Sequence, residues 1–340
     1  MTSKLRMRAQ QLSGARARSP EDVVERLLAV QAQDPKGARL TIRARSEGLG
    51  ASDVDAALTE RRSLIVTWLH RGTLHLVAAE DYWWLHPLTT PQLRAGNERR
   101  LEQEGVSPSQ AAKGVDVVAA AVAEGPQTRD QLRRALDRAK VPTQGQALVH
   151  VLVAASRAGL TVRGPMVGSE QAHVATEKWL GPAPRPLARD EALARLARRY
   201  LAGHGPADDR DLARWAGITL GDARIGLRGI ADDTEPFGHD GLVRLGSAPR
   251  SAVVPPPILL GPFDPLLLGW TSRDEYIGAH TGLVTNNGIF RPFALVDGRA
   301  VATWSAAKGR VTITPLEPIR DEAMAALEAD AARVELFSRQ

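Results

Sequence analysis

Apolar positions recur with a helical period from the start of the chain. Val23, Leu27, Leu28 and Val30 follow Pro20, which suits a first helical turn, so the spacing predicts a helix from residue 20 to about residue 30. Ser52 reads as the cap of a second helix through Leu58. Residues 64–69 and 73–77 then alternate as two strands around Arg71-Gly72, a hairpin signal. The pattern repeats downstream. Thr128 with Gln131 forms a capping-box spacing ahead of a helix over 129–138, and a second helix runs through Ala147, Val151, Leu152 and Ala155. Residues 160–162 and 173–175 look extended on either side of Gly164-Pro165 and Gly168. A third cluster has helices over 189–201 and 208–215, another capped by Thr219, and a strand-like 241–245. Residues 255–313 are strand-rich, with Asp297-Gly298 as a hairpin turn, and an amphipathic helix over 317–337 closes the chain.

Helix, turn, helix and hairpin is the order of a winged helix. The expectation is an α+β fold with three tandem winged-helix motifs and a strand-rich C-terminal region. The regions are 1–110, 111–185, 186–250 and 251–340.

Composition removes several classes of chemistry. None of the 340 residues is cysteine, which excludes disulfides, thiolate metal sites and a thiol nucleophile. No apolar run reaches the ~20 residues of a membrane span, and the Arg-spotted start lacks the apolar stretch of a signal peptide, so the cytoplasm is expected. The formal charge of +5 conceals an uneven distribution. Residues 129–228 carry 17 basic and 10 acidic side chains, or +7, whereas residues 229–340 carry 10 and 14, or −4. The cation-rich middle fits a polyanion partner. Of the 44 basic residues 38 are Arg, which suits phosphate contacts, although a GC-rich genome also favours Arg codons.

No H-E-x-x-H, P-loop, G-x-S-x-G or dinucleotide-binding glycine pattern occurs, and no metal or cofactor is expected. His70 and His75, five apart, fall on opposite faces of a continuous strand unless a turn at Arg71-Gly72 intervenes. Most of the seven Trp residues read as core anchors, with one or two left as candidate stacking platforms for bases.

The unusual feature is Gln31-Ala32-Gln33, directly after an apolar helical run. Residues two apart on a helix point to different faces. If the helix ends and the chain extends, as Pro35 encourages for Asp34, Gln31 and Gln33 share one face. Taken alone, the pattern fits a solvated helix end better than a site.

Five blocks change that weighting. Residues 28–34 (LAVQAQD), 67–77 (TWLHRGTLHLV) followed by Ala79-Glu80-Asp81, 200–217 (YLAGHGPADDRDLARWAG), 260–273 (LGPFDPLLLGWTSR) and 295–304 (LVDGRAVATW) occur in that order. Together they resemble the bacterial winged-helix DNA-binding family that includes the AlkZ-type DNA glycosylases. The resemblance implies a C-shaped, positively charged channel and hydrolysis of the N-glycosidic bond of N7-alkylated purines, including those in interstrand crosslinks. It also implies catalysis by a glutamine–apolar–glutamine motif, matched here by Gln31 and Gln33 with Ala32 between. Relatives with aspartate at the second position act more broadly. Here that position is Gln33, and Asp34 comes one residue too late and would face away.

The chemistry suits neutral amides. An N7-alkylated purine already carries positive charge and leaves without protonation. The enzyme must only place a water and face an oxocarbenium-like sugar with a carbonyl oxygen. His70, Arg71, Arg39, Asn286 and Asn287 are candidate contacts to double-stranded DNA, with solvated turns as the alternative reading. Three wings in one polypeptide suit a monomer at the nucleoid. The competing function is a non-catalytic winged-helix DNA-binding protein or regulator.

Overall fold

The computed structural model describes residues 1–168, 170–238 and 241–340. It is a mixed α/β structure, and the chain divides into two compact units, Met1–Val54 with Arg189–Gln340, and Asp55–Ala188. The boundary at residue 54 falls inside the first of the four regions expected above.

In the Asp55–Ala188 unit, Leu64–Leu69 and Thr73–Ala78 pair antiparallel, with Leu69 opposite Thr73 at the turn. Thr161–Val167 and Glu170–Ala175 form a second hairpin, and Val66 opposite Arg163 joins the two. Helices Pro108–Ala123, Arg129–Arg138 and Ala147–Arg157 bury Val118, Val122, Leu132, Leu136, Val151 and Leu152 in one cluster with Trp68. The Thr128 capping box forms as its spacing predicts. Its hydroxyl accepts from Gln131 N at 3.2 Å, and Gln131 Oε1 accepts from Thr128 N at 2.7 Å. The Pro108–Ala123 helix was absent from the sequence expectation, although Ser107 and Gln110 cap it in the same reciprocal way. The helix at residue 52 opens one residue early, as Ala51–Thr59, with Gly50 N donating to Asp53 rather than Ser52 capping it.

Three buried imidazoles give this unit a pH dependence. Burial pushes His75 and His173 well below the ordinary 6.5, and nearby cations, Arg71 for His75 and Arg163 for His173, push the same way; burial also lowers His86. Folded, these rings resist a proton that the unfolded chain accepts. Their contribution to stability is therefore present above about pH 6.5 and lost as pH falls below it. We expect the unfolding free energy to drop by about 1.4 kcal/mol per ring per pH unit in that window. Urea denaturation between pH 7.5 and 5.5 measures the slope, and His173→Gln should make it shallower.

In the other unit, helices Arg189–His204, Asp209–Ala216 and Leu220–Arg228 precede a hairpin of Thr234–Phe237 and Leu242–Leu245. Asp208 and Thr219 cap the second and third helices by accepting from Asp211 N and Asp222 N. The first helix runs three residues past the expected 201, with Gly203 inside it. A Cβ there would sit 2.4 Å from Arg26 O, so glycine is needed where the helix crosses that backbone.

A four-stranded antiparallel sheet follows, in the order Arg310–Pro315, Arg299–Ala307, Phe293–Val296, Ile258–Leu260. Asp297 and Gly298 both have positive φ, at 50° and 79°, as a tight hairpin turn requires. The closing helix is Asp321–Phe337, shorter than expected because Pro318 disfavours helix at Glu317. No described helix is long and apolar enough to cross a membrane.

Candidate functional site

The glutamines sit on a short connector between two helices of the first unit. Pro20–Leu27 starts on a capping box, in which Ser19 Oγ accepts from Asp22 N at 3.1 Å and Asp22 Oδ2 accepts from Ser19 N at 3.2 Å. The helix stops at Leu27, earlier than the apolar run suggests. Leu28 takes φ 64° and ψ −47°, and Ala29 N donates to Leu27 O at 2.8 Å. This is a three-residue γ-turn of the rarer, strained hand. A non-glycine there costs about 1–3 kcal/mol and persists only where its surroundings hold it. Leu28 is fully buried, which is what holds it.

The turn aims the chain into a two-residue strand, Val30–Gln31, and a bend follows at Gln33 and Asp34. Gln31 is buried, with 7% of its surface exposed, Ala32 is buried beside it, and Gln33 is exposed. One amide is thus embedded and the other meets solvent.

Asp34 is extended, as Pro35 requires, and a new helix begins at once. Pro35–Arg45 is a helix, with Pro35 at its first position and Asp34 as its cap. Asp34 Oδ1 accepts from Lys36 N at 2.8 Å and Gly37 N at 3.1 Å. That carboxylate is occupied by the helix N-terminus, so it does not supply a second acid beside Gln33. We expect Asp34→Ala to cost about 1 kcal/mol in urea denaturation, and Asp34→Ser to recover most of it.

This second helix is fastened along its length. A Cβ on Gly37 would lie 2.6 Å from Pro262 O, so the helix start rests directly on backbone. Arg43 Nη1 donates to Asp330 Oδ1 at 2.8 Å. Arg45 pairs with Asp264 through two bonds of 2.9 and 2.8 Å, with both side chains 0% exposed. Gln10 Oε1 accepts from Arg45 Nη2 at 2.9 Å, and Gln10 Nε2 donates to Pro265 O at 3.1 Å. The sequence reading missed Arg45 and Asp264 as a supporting pair. Its only signal was a single carboxylate inside the apolar stretch 260–270.

Two of the blocks noted above meet around the same stretch. Tyr200 OH donates to Gly269 O at 2.7 Å, Trp270 Nε1 to His204 O at 2.9 Å, and Thr271 N to Asp211 Oδ1 at 2.8 Å. Their pattern therefore has a packing basis.

The other candidate residues are distributed. Arg39 lies half-buried on the helix after the glutamines and donates to Pro35 O at 2.9 Å. Asn286 and Asn287 are exposed at the tip of a turn closed by Gly288 N donating to Thr285 O. His70 and Arg71 belong to the other unit, at the turn of its first hairpin. Arg71 is exposed, whereas His70 is fully buried with φ 46°. The turn brings the His70 and His75 rings edge to face at 4.6 Å, instead of leaving them on opposite faces. Trp68, Trp84, Trp215, Trp270 and Trp304 are core residues, and Trp83 and Trp179 are half-buried. No group of three or more His, Asp or Glu side chains suited to a metal ion occurs among the described residues.

Two amides in a connector can accept and donate hydrogen bonds without titrating. They can orient a water and face developing positive charge. They cannot hold a proton as a carboxylate does.

Comparison with known proteins identifies the family. The chain matches the family described as DNA glycosylase AlkZ-like over residues 24–337, a span that includes every candidate site residue. It is 29% identical over 354 aligned positions to a protein of Streptomyces sahachiroi named interstrand DNA cross-link repair glycosylase, covering 97% of this chain and 93% of that one. The solved structure of Streptomyces sahachiroi DNA glycosylase AlkZ superposes with a TM-score of 0.80 at 25% identity, over 99% of this chain and 96% of that one.

Proposed function

The chain belongs to the AlkZ-like DNA glycosylase family, and on that premise we propose that it releases N7-alkylated purines from double-stranded DNA and unhooks interstrand crosslinks built on them. The observation that carries this reading is the Gln31-Ala32-Gln33 connector, set between the strained turn at Leu28 and the cap at Asp34.

In this mechanism the glycosidic bond breaks with its electron pair going to the purine. The alkylated ring is thereby neutralised and leaves without a general acid. A water held by the Gln31 and Gln33 amides adds to C1′ of the oxocarbenium-like sugar, whose charge faces their carbonyl oxygens. The proton released from the water passes to solvent, and an abasic site remains. No metal or cofactor takes part.

The DNA-binding frame is part of the same proposal. Three tandem winged helices are the proposed frame, supported by the helix, helix and hairpin orders at 129–175 and 209–245 and by the 0.80 TM-score. The +7 charge of residues 129–228 favours phosphate contact. Arg71, Arg39, Asn286 and Asn287 are the proposed contacts to the duplex. His70, being buried, serves by holding the hairpin turn that presents Arg71. The proposed working form is a monomer in the cytoplasm, at the nucleoid.

Incubation with duplex carrying one N7-alkylguanine, followed by cleavage of abasic sites, tests the activity. Strand breaks at the lesion are expected. A footprint on one defined operator, with no base release, would instead identify a regulator.

A further inference from the structure

A small hollow elsewhere in the first unit carries charge that the glycosidic chemistry does not use. It is bounded by Leu5, Arg8, Arg26, Leu201, Pro206 and Arg244 among others, and no residue lining it is acidic. The hollow opens to solvent, and about 20 Å³ within it is open to the centre of a water-sized sphere. That inner space fits one oxygen-sized group.

The three guanidinium groups differ in what neutralises them. Arg244 is paired with Glu235 and donates to Pro249 O. Arg26 donates through Nε to Ala9 O at 2.8 Å, a neutral carbonyl. Among the described residues, neither Arg26 nor Arg8 has an ion-pair partner. Burial lowers the Arg26 pKa, and the charge of Arg8 lowers it further, so the two cations repel each other in a half-buried place. Arg8 is also seated. A Cβ on Gly14 would lie 1.9 Å from Arg8 Nη1, and Gly14 has φ 88°, so a glycine leaves the space this guanidinium fills. Two like charges held together by the fold, beside a space for one oxygen, are arranged for an anion from outside the chain.

We propose that Arg8, Arg26 and Arg244 form a receptor for a single oxyanion of the phosphate class. One anionic oxygen enters the hollow while the rest of the group stays at its mouth. Two sources share this chemistry, a backbone phosphate of DNA and free phosphate. None of its residues belongs to the glutamine connector, so base release is read out separately.

Arg8→Gln is the informative variant, since among the described residues no hydrogen bond of the Arg8 side chain supports the fold. Arg26→Lys is the second, and keeps the charge while losing the planar fork. Inorganic phosphate is titrated against chloride at constant ionic strength, following Tm and calorimetric heat. In parallel, binding of undamaged duplex is measured across salt concentration. A saturable rise in wild-type Tm with phosphate, with Kd about tenfold weaker in Arg8→Gln, supports the receptor and identifies free phosphate as its ligand. If phosphate alone has no effect but the variant lowers the salt-dependence slope of duplex binding by about one contact, the ligand is a backbone phosphate. If wild type and both variants agree in both measurements, the proposal is overturned. That result would leave base release untouched, so it is distinguishable from failure of the glycosylase reading.

Discussion

Gln33→Ala is expected to lower the single-turnover rate of N7-alkylpurine release by about 10²- to 10³-fold while leaving the protein folded. The size follows from what one preorganised polar group contributes at a transition state, about 3–4 kcal/mol. The two glutamines differ in how cleanly they report it. Gln33 is exposed, so its truncation should change stability by no more than about 0.5 kcal/mol. Gln31 is buried at 7% exposure, so Gln31→Ala removes a packed polar group along with its proposed catalytic amide. Loss of rate in Gln33→Ala with an unchanged urea midpoint therefore isolates chemistry from folding. The double variant Gln31→Ala, Gln33→Ala should be little slower than the worse single one if the amides hold one water together, because groups acting as a unit are not additive. Amides do not titrate, so the wild-type rate should carry no ionisation from this pair between about pH 5 and 9. Gln33→Glu should introduce one, in the carboxylate range near 4.3. Full activity in Gln33→Ala would remove the glutamine mechanism.

The second large effect concerns stability. Asp264→Asn should destabilise the fold by about 3–5 kcal/mol, because it leaves the fully buried Arg45 guanidinium without its counter-charge. That is a large part of the 5–15 kcal/mol typical of a folded protein. Arg45→Met alone strands Asp264 in the same way and should cost a similar amount. Together with Asp264→Leu it should cost much less, since two apolar groups of similar volume need no desolvated charge. A double-mutant cycle by urea denaturation measures the coupling. The pair fastens the end of the Pro35–Arg45 helix that begins just after the glutamines. Variants that remain folded should therefore also lose release rate, through misplacement of the connector.

The legible parts of this protein are those decided within a few residues. Thr128 with Gln131, and Thr219, cap helices because a side chain reaches a backbone N–H three residues on. Asp297-Gly298 turns a hairpin because both positions accept positive φ. The glutamine motif is legible in the same sense: its residues are contiguous and Pro35 marks the boundary that follows it. Local signals also stopped short. Pro35 marks Asp34 as extended without showing that a helix starts there, and Gly37 is there for the approach of Pro262 O. Leu28 and Val30 read as helical because hydrophobic period does not report the sign of φ.

By itself, then, the sequence determined the helix caps, the hairpin turns, the absence of thiol chemistry and the presence of two glutamines on one short segment. Tertiary structure alone decided that Leu28 takes a strained turn, that Gln31 is embedded while Gln33 meets solvent, and that Arg45 finds Asp264 across 219 residues. The reason is physical. Caps and turns are closed by bonds between near neighbours, so residue types reveal them. Burial and buried ion pairs depend on which distant surfaces are removed from water together, and no spacing along the chain records that.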